Sequence, residues 1–296
     1  MTRATWKRVA MAVLTVCLLA DTAHAEESVV TAQVASTGSQ AEKDPAPEPA
    51  APTGAKTLRR TLDPVVVMGK QLPHTHNKLP SEFKLYRWSE AGGFKPIPYQ
   101  FDERDLENRY AFTHGPDSEL YSDDGLIDAN DELVFMAADS GAQVPLSDAG
   151  ENAVEAIEIE LLDPVTAEKG WVYLLPSTFS EEVSSTDYVS IEETELQVTS
   201  SDYVFRFSKP APITFDYLAI RHAGEELMNI VDRMKIRAWS RVLGLIRVDV
   251  DEEDLESELR GYIDGPVRVI RRSRNTYHIA IIPTLRTDLE AAFYRS

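Results

Sequence analysis

Phe83-Lys84-Leu85-Tyr86-Arg87-Trp88 alternates as a half-buried strand does, with Phe83 and Leu85 two apart on one face. Ala91-Gly92-Gly93 then supplies turn residues, and Phe94 to Phe101 returns as a second strand. Pro96 and Pro98 interrupt that return and place it at a sheet edge, because proline has no N–H to give to a ladder.

The same style continues outward in both directions. Pro64–Met68 and Leu133–Ala137 are short apolar runs, the kind that a buried strand uses. Residues 153–162, 171–175, 188–191, 195–198, 203–207, 213–220, 232–239, 242–250, 267–272 and 277–282 add further β-prone stretches, separated by turns. Many short strands of this kind predict a mainly β chain of the antiparallel β-sandwich type, in two β subdomains. The first spans 59–178 and the second 179–296. One short helix is expected over Asp251–Leu259, whose acidic start suits the positive end of a helix dipole.

The N-terminal residues read as an address. Arg3, Lys7 and Arg8 precede an apolar run from Val9 to Ala20, and Ala23-His24-Ala25 offers small residues where signal peptidase reads. Residues 1–25 are therefore expected to be a signal peptide cleaved before Glu26, with the product periplasmic or secreted. A lipid anchor at Cys17 would require a small residue before it, where Val16 stands. No other run has the length and apolarity of a transmembrane helix. Residues 26–58 contain no aromatic side chain and carry Pro45, Pro47, Pro49 and Pro52, which predicts a disordered Ala/Pro-rich tether.

In 296 residues, 49 acidic side chains stand against 30 basic ones, a net charge of −19. Loss of the signal segment makes the chain more acidic still. Such a balance excludes phosphate-tracking nucleic-acid binders and argues against adsorption to anionic membranes. The single Cys, Cys17, lies in the signal segment, so neither a disulfide framework nor a thiolate zinc site is expected.

Chemistry concentrates in Asp123-Asp124-Gly125-Leu126-Ile127-Asp128-Ala129-Asn130-Asp131-Glu132. Asp123, Asp124, Asp128, Asn130, Asp131 and Glu132 offer the oxygen donors that calcium takes in a tight loop. The stretch resembles an EF-hand or dockerin-type calcium loop with Gly125 sixth, Asp124 fifth, Asp128 ninth and Asp131 twelfth. It departs from that pattern at the first place, Leu120, and at the third, Ser122. The other reading is a solvated acidic turn before the Leu133 strand. Asp102, Glu103, Asp105 and Glu107 form a second acidic cluster that could complete an ion site. His74 and His76 would point the same way in an extended segment, a geometry that suits zinc or copper, although Pro73 places them in a loop. Arg268, Arg271, Arg272 and Arg274 could recognise an acidic sugar, or could pair internally with Asp251, Glu252, Glu253, Asp254 and Glu256. The acidic balance favours internal pairing. No serine nucleophile elbow, phosphate loop or dinucleotide fingerprint occurs in the sequence.

Three stretches together resemble a family of secreted bacterial β-rich proteins with no assigned activity. They are Pro98-Tyr99-Gln100-Phe101-Asp102-Glu103-Arg104, Asp128 through Ala137, and Asp264 through Arg272. That likeness implies a β-rich envelope protein. The Gly265-Pro266-Val267-Arg268 strand is also similar to one in β-supersandwich carbohydrate enzymes such as mutarotase-like and lyase domains. The first expectation is thus a non-enzymatic binding or structural module, calcium-stabilised, whose partner is a cell-envelope component or polysaccharide. The alternative is a carbohydrate-active enzyme, or a fragment of one, acting on an acidic polysaccharide.

Overall fold

The computed structural model describes residues 54–120, 123–144, 156–220, 228–232, 234–235, 237–242, 246–251, 254–278 and 285–295, together with the backbone of 31–36. The expected signal peptide, most of the expected tether and most of the expected strand at 277–282 lie outside the described residues.

Among the described residues, eight strands form the first half. They are β1 (Thr31–Ser36), β2 (Pro64–Met68), β3 (Phe83–Ser89), β4 (Gly93–Pro96), β5 (Tyr99–Asp102), β6 (Glu132–Met136), β7 (Ile157–Leu162) and β8 (Lys169–Pro176). Two antiparallel sheets result, in the orders β1-β7-β8-β3-β4 and β2-β6-β5. Val65, Val67, Leu133 and Phe135 of the small sheet pack on Phe83, Leu85, Ile157, Ile159, Val172 and Leu174 of the large one. This is sandwich packing, in which alternate residues of each sheet interdigitate.

The return expected as one interrupted edge strand is two edge strands of different sheets. β4 closes the large sheet beside β3, and β5 closes the small one beside β6. Pro96 ends one ladder and Pro98 precedes the next, so the chain changes sheets where it has no N–H to donate.

Strand β6 is buried along its whole length. Leu133 and Phe135 face the first core, while Val134 and Met136 meet Val267, Tyr188 and Tyr294 from the second half. A strand covered on both faces needs a continuous apolar run, which is what Leu133–Ala137 provides.

The second half contains β9 (Val189–Glu192), β10 (Gln197–Ser200), β11 (Tyr203–Ser208), β12 (Ala211–Ile220), β13 (Met228–Asn229), β14 (Arg237–Val242), β15 (Ile246–Asp251), β16 (Leu255–Asp264), β17 (Val269–Tyr277) and β18 (Leu285–Phe293). A five-stranded sheet, β13-β12-β11-β10-β9, faces a three-stranded sheet, β16-β17-β18, and β14 pairs with β15 as a separate ribbon. β12 lies across β16 and β17. Val189, Val198, Phe207 and Val269, with Phe205 and Phe293 against them, fill the space between the sheets. The architecture is mainly β, antiparallel and sandwich-like. Among the described residues, no helix is long and apolar enough to cross a membrane.

Two expectations are corrected. The stretch read as a helix over Asp251–Leu259 ends one strand at Asp251 and begins another at Leu255. Leu255 turns inward, and Glu258 lies directly opposite Arg274 on β17. The Glu258 carboxylate takes Arg260 on its own strand, and pairing of the backbone along β17 wins over the weak dipole preference of a short acidic helix. The expected tether is also shorter than its composition suggested. Thr31–Ser36 pairs antiparallel with β7. Leu58 is buried, the N–H groups of Thr57 and Leu58 donate to the Lys169 carbonyl, and Lys56 Nζ donates to the carbonyls of Ala138 and Ser140. One apolar side chain and a few unpaired acceptors are enough to dock residues 54–58.

Candidate functional site

The antiparallel register of β5 and β6 sets Asp102 directly opposite Glu132. Two carboxylates brought together inside a protein repel one another and lose their hydration. Arg268, after the Gly265-Pro266 turn, puts its guanidinium between them. Nε donates to Asp102 Oδ2 at 2.7 Å, Nη2 reaches both Asp102 and Glu132, and Nη1 donates to the Tyr294 hydroxyl at 3.2 Å. Arg268 is 3%, Asp102 1% and Glu132 6% exposed.

Neighbouring groups satisfy the remaining valences. Arg104 donates from Nε to Glu132 Oε1 at 2.8 Å and stacks 3.7 Å above the Tyr110 ring, while the Tyr110 hydroxyl donates to Glu132 Oε2. Gln100 Nε2 donates to Asp102 Oδ1, and its Oε1 accepts from the N–H groups of Val267 and Arg268. A Cβ at Gly265 would stand 2.4 Å from that oxygen, so only glycine leaves the amide its place. Burial tends to raise the Glu132 carboxyl, but the hydrogen bond and charge of Arg268, with Arg104, hold it below the usual range. Asp102 lies deeper and is pushed up by burial, against the pull of Arg268 and Gln100. Burial opposes the charge on Arg268, yet the surrounding anions raise it, so the guanidinium stays ionised. The result is a satisfied ionic clamp between the two halves.

The acidic loop abuts this clamp. Asp124 Oδ1 accepts from the Leu126 N–H, Asp128 Oδ1 from the Asn130 N–H, and Asp131 accepts from the N–H groups of Asp128 and Arg104. The Asn130 amide donates to the carbonyls of Arg104 and Asp105. Of the six candidate ligands, Glu132 belongs to the clamp, and Asn130 and Asp131 brace the loop. Asp123 keeps a buried Oδ2 without a hydrogen-bond partner. Ser122 lies outside the described residues. Among the described residues, no three His, Cys, Asp or Glu side chains stand together as a metal cage. The loop carboxylates are nonetheless crowded. Glu103 is pushed up to about 7, first by burial and then by the charges of Asp131, Asp123, Asp124 and Asp128. Asp105 is committed to Arg109.

The other sequence candidates resolve differently. Pro73–Thr75 is a 3-10 turn rather than an extended segment, and His76 Nε2 bonds the Gly69 carbonyl oxygen, so the shared orientation assumed for His74 and His76 has no basis. The basic cluster does pair internally, but with other partners than the acidic run at 251–256. Arg268 takes Asp102 and Glu132, Arg272 takes Glu290, and Arg274 takes Asp288. Asp117, buried beneath them, binds Arg260. Arg271 has none of these.

Removing one member of a buried pair strands its partners, so Arg268→Ala should cost about 3–5 kcal/mol. In urea it should also separate the unfolding of the two halves, followed by tryptophan fluorescence and by far-UV dichroism. A single transition at an unchanged midpoint would dissociate the clamp from the joining of the halves.

Glu103 predicts a pH effect of definite sign. Between its ordinary value of 4.5 and the raised value near 7, the folded state holds a proton that the unfolded state has lost. Stability therefore falls as pH rises through that window, and the loss is complete above it. Glu132, with its lowered carboxyl, acts in the opposite sense and withdraws stability only as pH falls below its ordinary range. Glu103→Gln should flatten the melting profile between pH 5 and 7 and raise stability at neutral pH. The check is a melting series across that range.

Compared with known proteins, the chain matches no family model, no curated protein and no solved structure.

Proposed function

We propose that the protein is a secreted or periplasmic β-sandwich module that binds or braces a cell-envelope component without catalysing a reaction. The observation that supports this reading is the state of Arg268, Asp102, Glu132, Tyr110 and Tyr294. Such a set has the composition of an acidic-sugar enzyme site, in which arginine, tyrosine and carboxylate converge on a cleft. Here it is buried and consumed by mutual pairing, so its chemistry holds the two halves together. The expected signal peptide ending at Ala25 supplies the route out of the cytoplasm. Incubation of the mature protein with polygalacturonate or alginate should yield no shortened chains, and N-terminal mass analysis of exported material should begin at Glu26. Shortened chains would favour the carbohydrate-active alternative, and retention of residues 1–25 would remove the envelope location.

A second reading, calcium binding at Asp123–Glu132, is favoured by the carboxylate crowding around Glu103. A hard divalent ion would relieve that repulsion, with Asp123, Asp124 and Asp128 turning toward it. Asp131 is a poor choice for mutation, since its oxygens hold two backbone N–H groups. Asp123→Asn is the cleaner variant. Calcium at a hundredfold its dissociation constant should stabilise the native chain by about 2.7 kcal/mol over chelator, and Asp123→Asn should lose most of that gain. Magnesium should substitute poorly, because it requires a tighter octahedron. Identical melting in calcium and in chelator would leave the loop as an acidic turn that braces the clamp.

A further inference from the structure

Strand β17 carries a charged feature that the clamp does not use. Successive side chains of a strand point to opposite faces. Arg272 and Arg274 therefore share one face, with Glu290 and Asp288 beside them on β18. Arg271, Ser273 and Asn275 share the other face, which looks into the sandwich. All three are buried, Arg271 to 2% exposure. Among the described residues, Arg271 Nε and Nη2, Ser273 Oγ and Asn275 Nδ2 are buried without hydrogen-bond partners. The Asn275 amide is oriented by Ser257, whose hydroxyl donates to Oδ1 at 2.8 Å, so the unpaired end is the nitrogen. Hydrogen-bonding groups thus remain open along one strand, in a chain with 49 acidic side chains to spare.

An uncompensated guanidinium in a protein interior is costly, and such a group calls for an explanation, of which a bound anion is one. We propose that the Arg271–Ser273–Asn275 row binds a singly charged, hydroxylated carboxylate, in chemical class a sugar acid, admitted from the β18 side of the sandwich.

The shape of the arginine carries the charge assignment. Its plane stacks on the Phe207 ring, 3.5 Å from the centroid. Stacking covers a face and leaves the edges free. The open edge is Nε with Nη2, the fork that receives both oxygens of a carboxylate. Burial lowers this guanidinium, to about 10, so it remains cationic at neutral pH. The row of Arg271, Ser273 and Asn275 holds one cationic side chain, which matches one negative charge rather than two. Alternate residues on a strand lie about 7 Å apart, so Ser273 and Asn275 extend the row to about 13 Å. Their uncharged groups suit hydroxyl oxygens on an elongated ligand. The row is buried, so entry requires the edge strand β18 to yield. β12 packs over β16 and β17, whereas Leu289 of β18, directly opposite Ser273, is 47% exposed. Ala291, opposite Arg271, is small.

This inference goes beyond the module reading by naming a ligand, and it is independent of calcium at the acidic loop. Binding, rather than turnover, is therefore the readout. Titration calorimetry of the full mature chain with D-glucuronate, D-glucose and sulfate, in native and Arg271→Met protein, tests it. Glucuronate should bind and glucose should not. Arg271→Met should weaken glucuronate by about 10- to 100-fold, the worth of a charged hydrogen-bonded fork. That variant should melt no lower than the native chain, since it removes an unpaired charge rather than one half of a pair. Arg271→Lys, which keeps the charge and loses the fork, should also bind weakly and guards against a folding artefact. Absence of glucuronate binding, or equal affinity in Arg271→Met, overturns the site. Sulfate binding as tight as glucuronate overturns the carboxylate assignment. A lowered melting temperature in ligand-free Arg271→Met reveals a partner within the protein and overturns the premise.

Discussion

The guanidinium of Arg268 sits between two carboxylates that strand register forces together, and the rest of the structure is arranged around that contact. Asp102 and Glu132 cannot separate without breaking the β5–β6 ladder, and neither can reach water. The one cation they share comes from a residue 166 and 136 positions away in the chain. The clamp is therefore also a topological statement. It requires the turn before β17 to arrive at the open edge of the small sheet, with Gly265 allowing the close approach of Gln100. A buried ion pair is weak support for stability by itself, because desolvation opposes attraction. Its value here is specificity, since Arg268 can meet both carboxylates in one place only.

Much of the scaffold was legible in local pattern. Pro64–Met68 and the Phe83 strand announce themselves by short apolar or alternating runs, and β6 by its continuous apolar character. Local pattern failed where long-range pairing decides. The acidic start of the 251–259 stretch looks like a helix start until residues from Leu255 onward are known to pair along β17. The partners of the arginine cluster were sought nearby, at 251–256, although β17 sends alternate arginines to opposite sides of a sheet. Asp102 and Glu132 were each read as part of an acidic loop, because nothing within a few residues of either reveals that they face one another. The stretches at 98–104, 128–137 and 264–272 supply Gln100, Asp102, Arg104, Glu132 and Arg268, so three segments distant in sequence meet in the clamp.

The acidic balance of the chain acquires a structural meaning from these contacts. Cations are scarce, and most of the described arginines on β16 and β17 are matched to particular carboxylates. Carboxylates in excess gather in the loop beside the clamp, where backbone N–H groups of Asx-type turns take up part of their charge. Against this pattern a lone arginine stacked on Phe207 is an exception in kind.

The two-sided burial of β6 bears on how the protein can be divided. Val134 and Met136 belong to the first half by sequence and to the second by packing. A fragment ended near residue 178 would keep its own sandwich core but expose an apolar stripe along the middle strand of the small sheet, flanked by two carboxylates without their cation. Such a fragment would seek another surface to cover that stripe, and self-association is the nearest available. The halves are therefore not interchangeable modules on a string. A shuffled or truncated relative would have to replace the missing face as well as the missing charge, and substitutions at the outward positions of β6 are constrained jointly by both sides of the molecule.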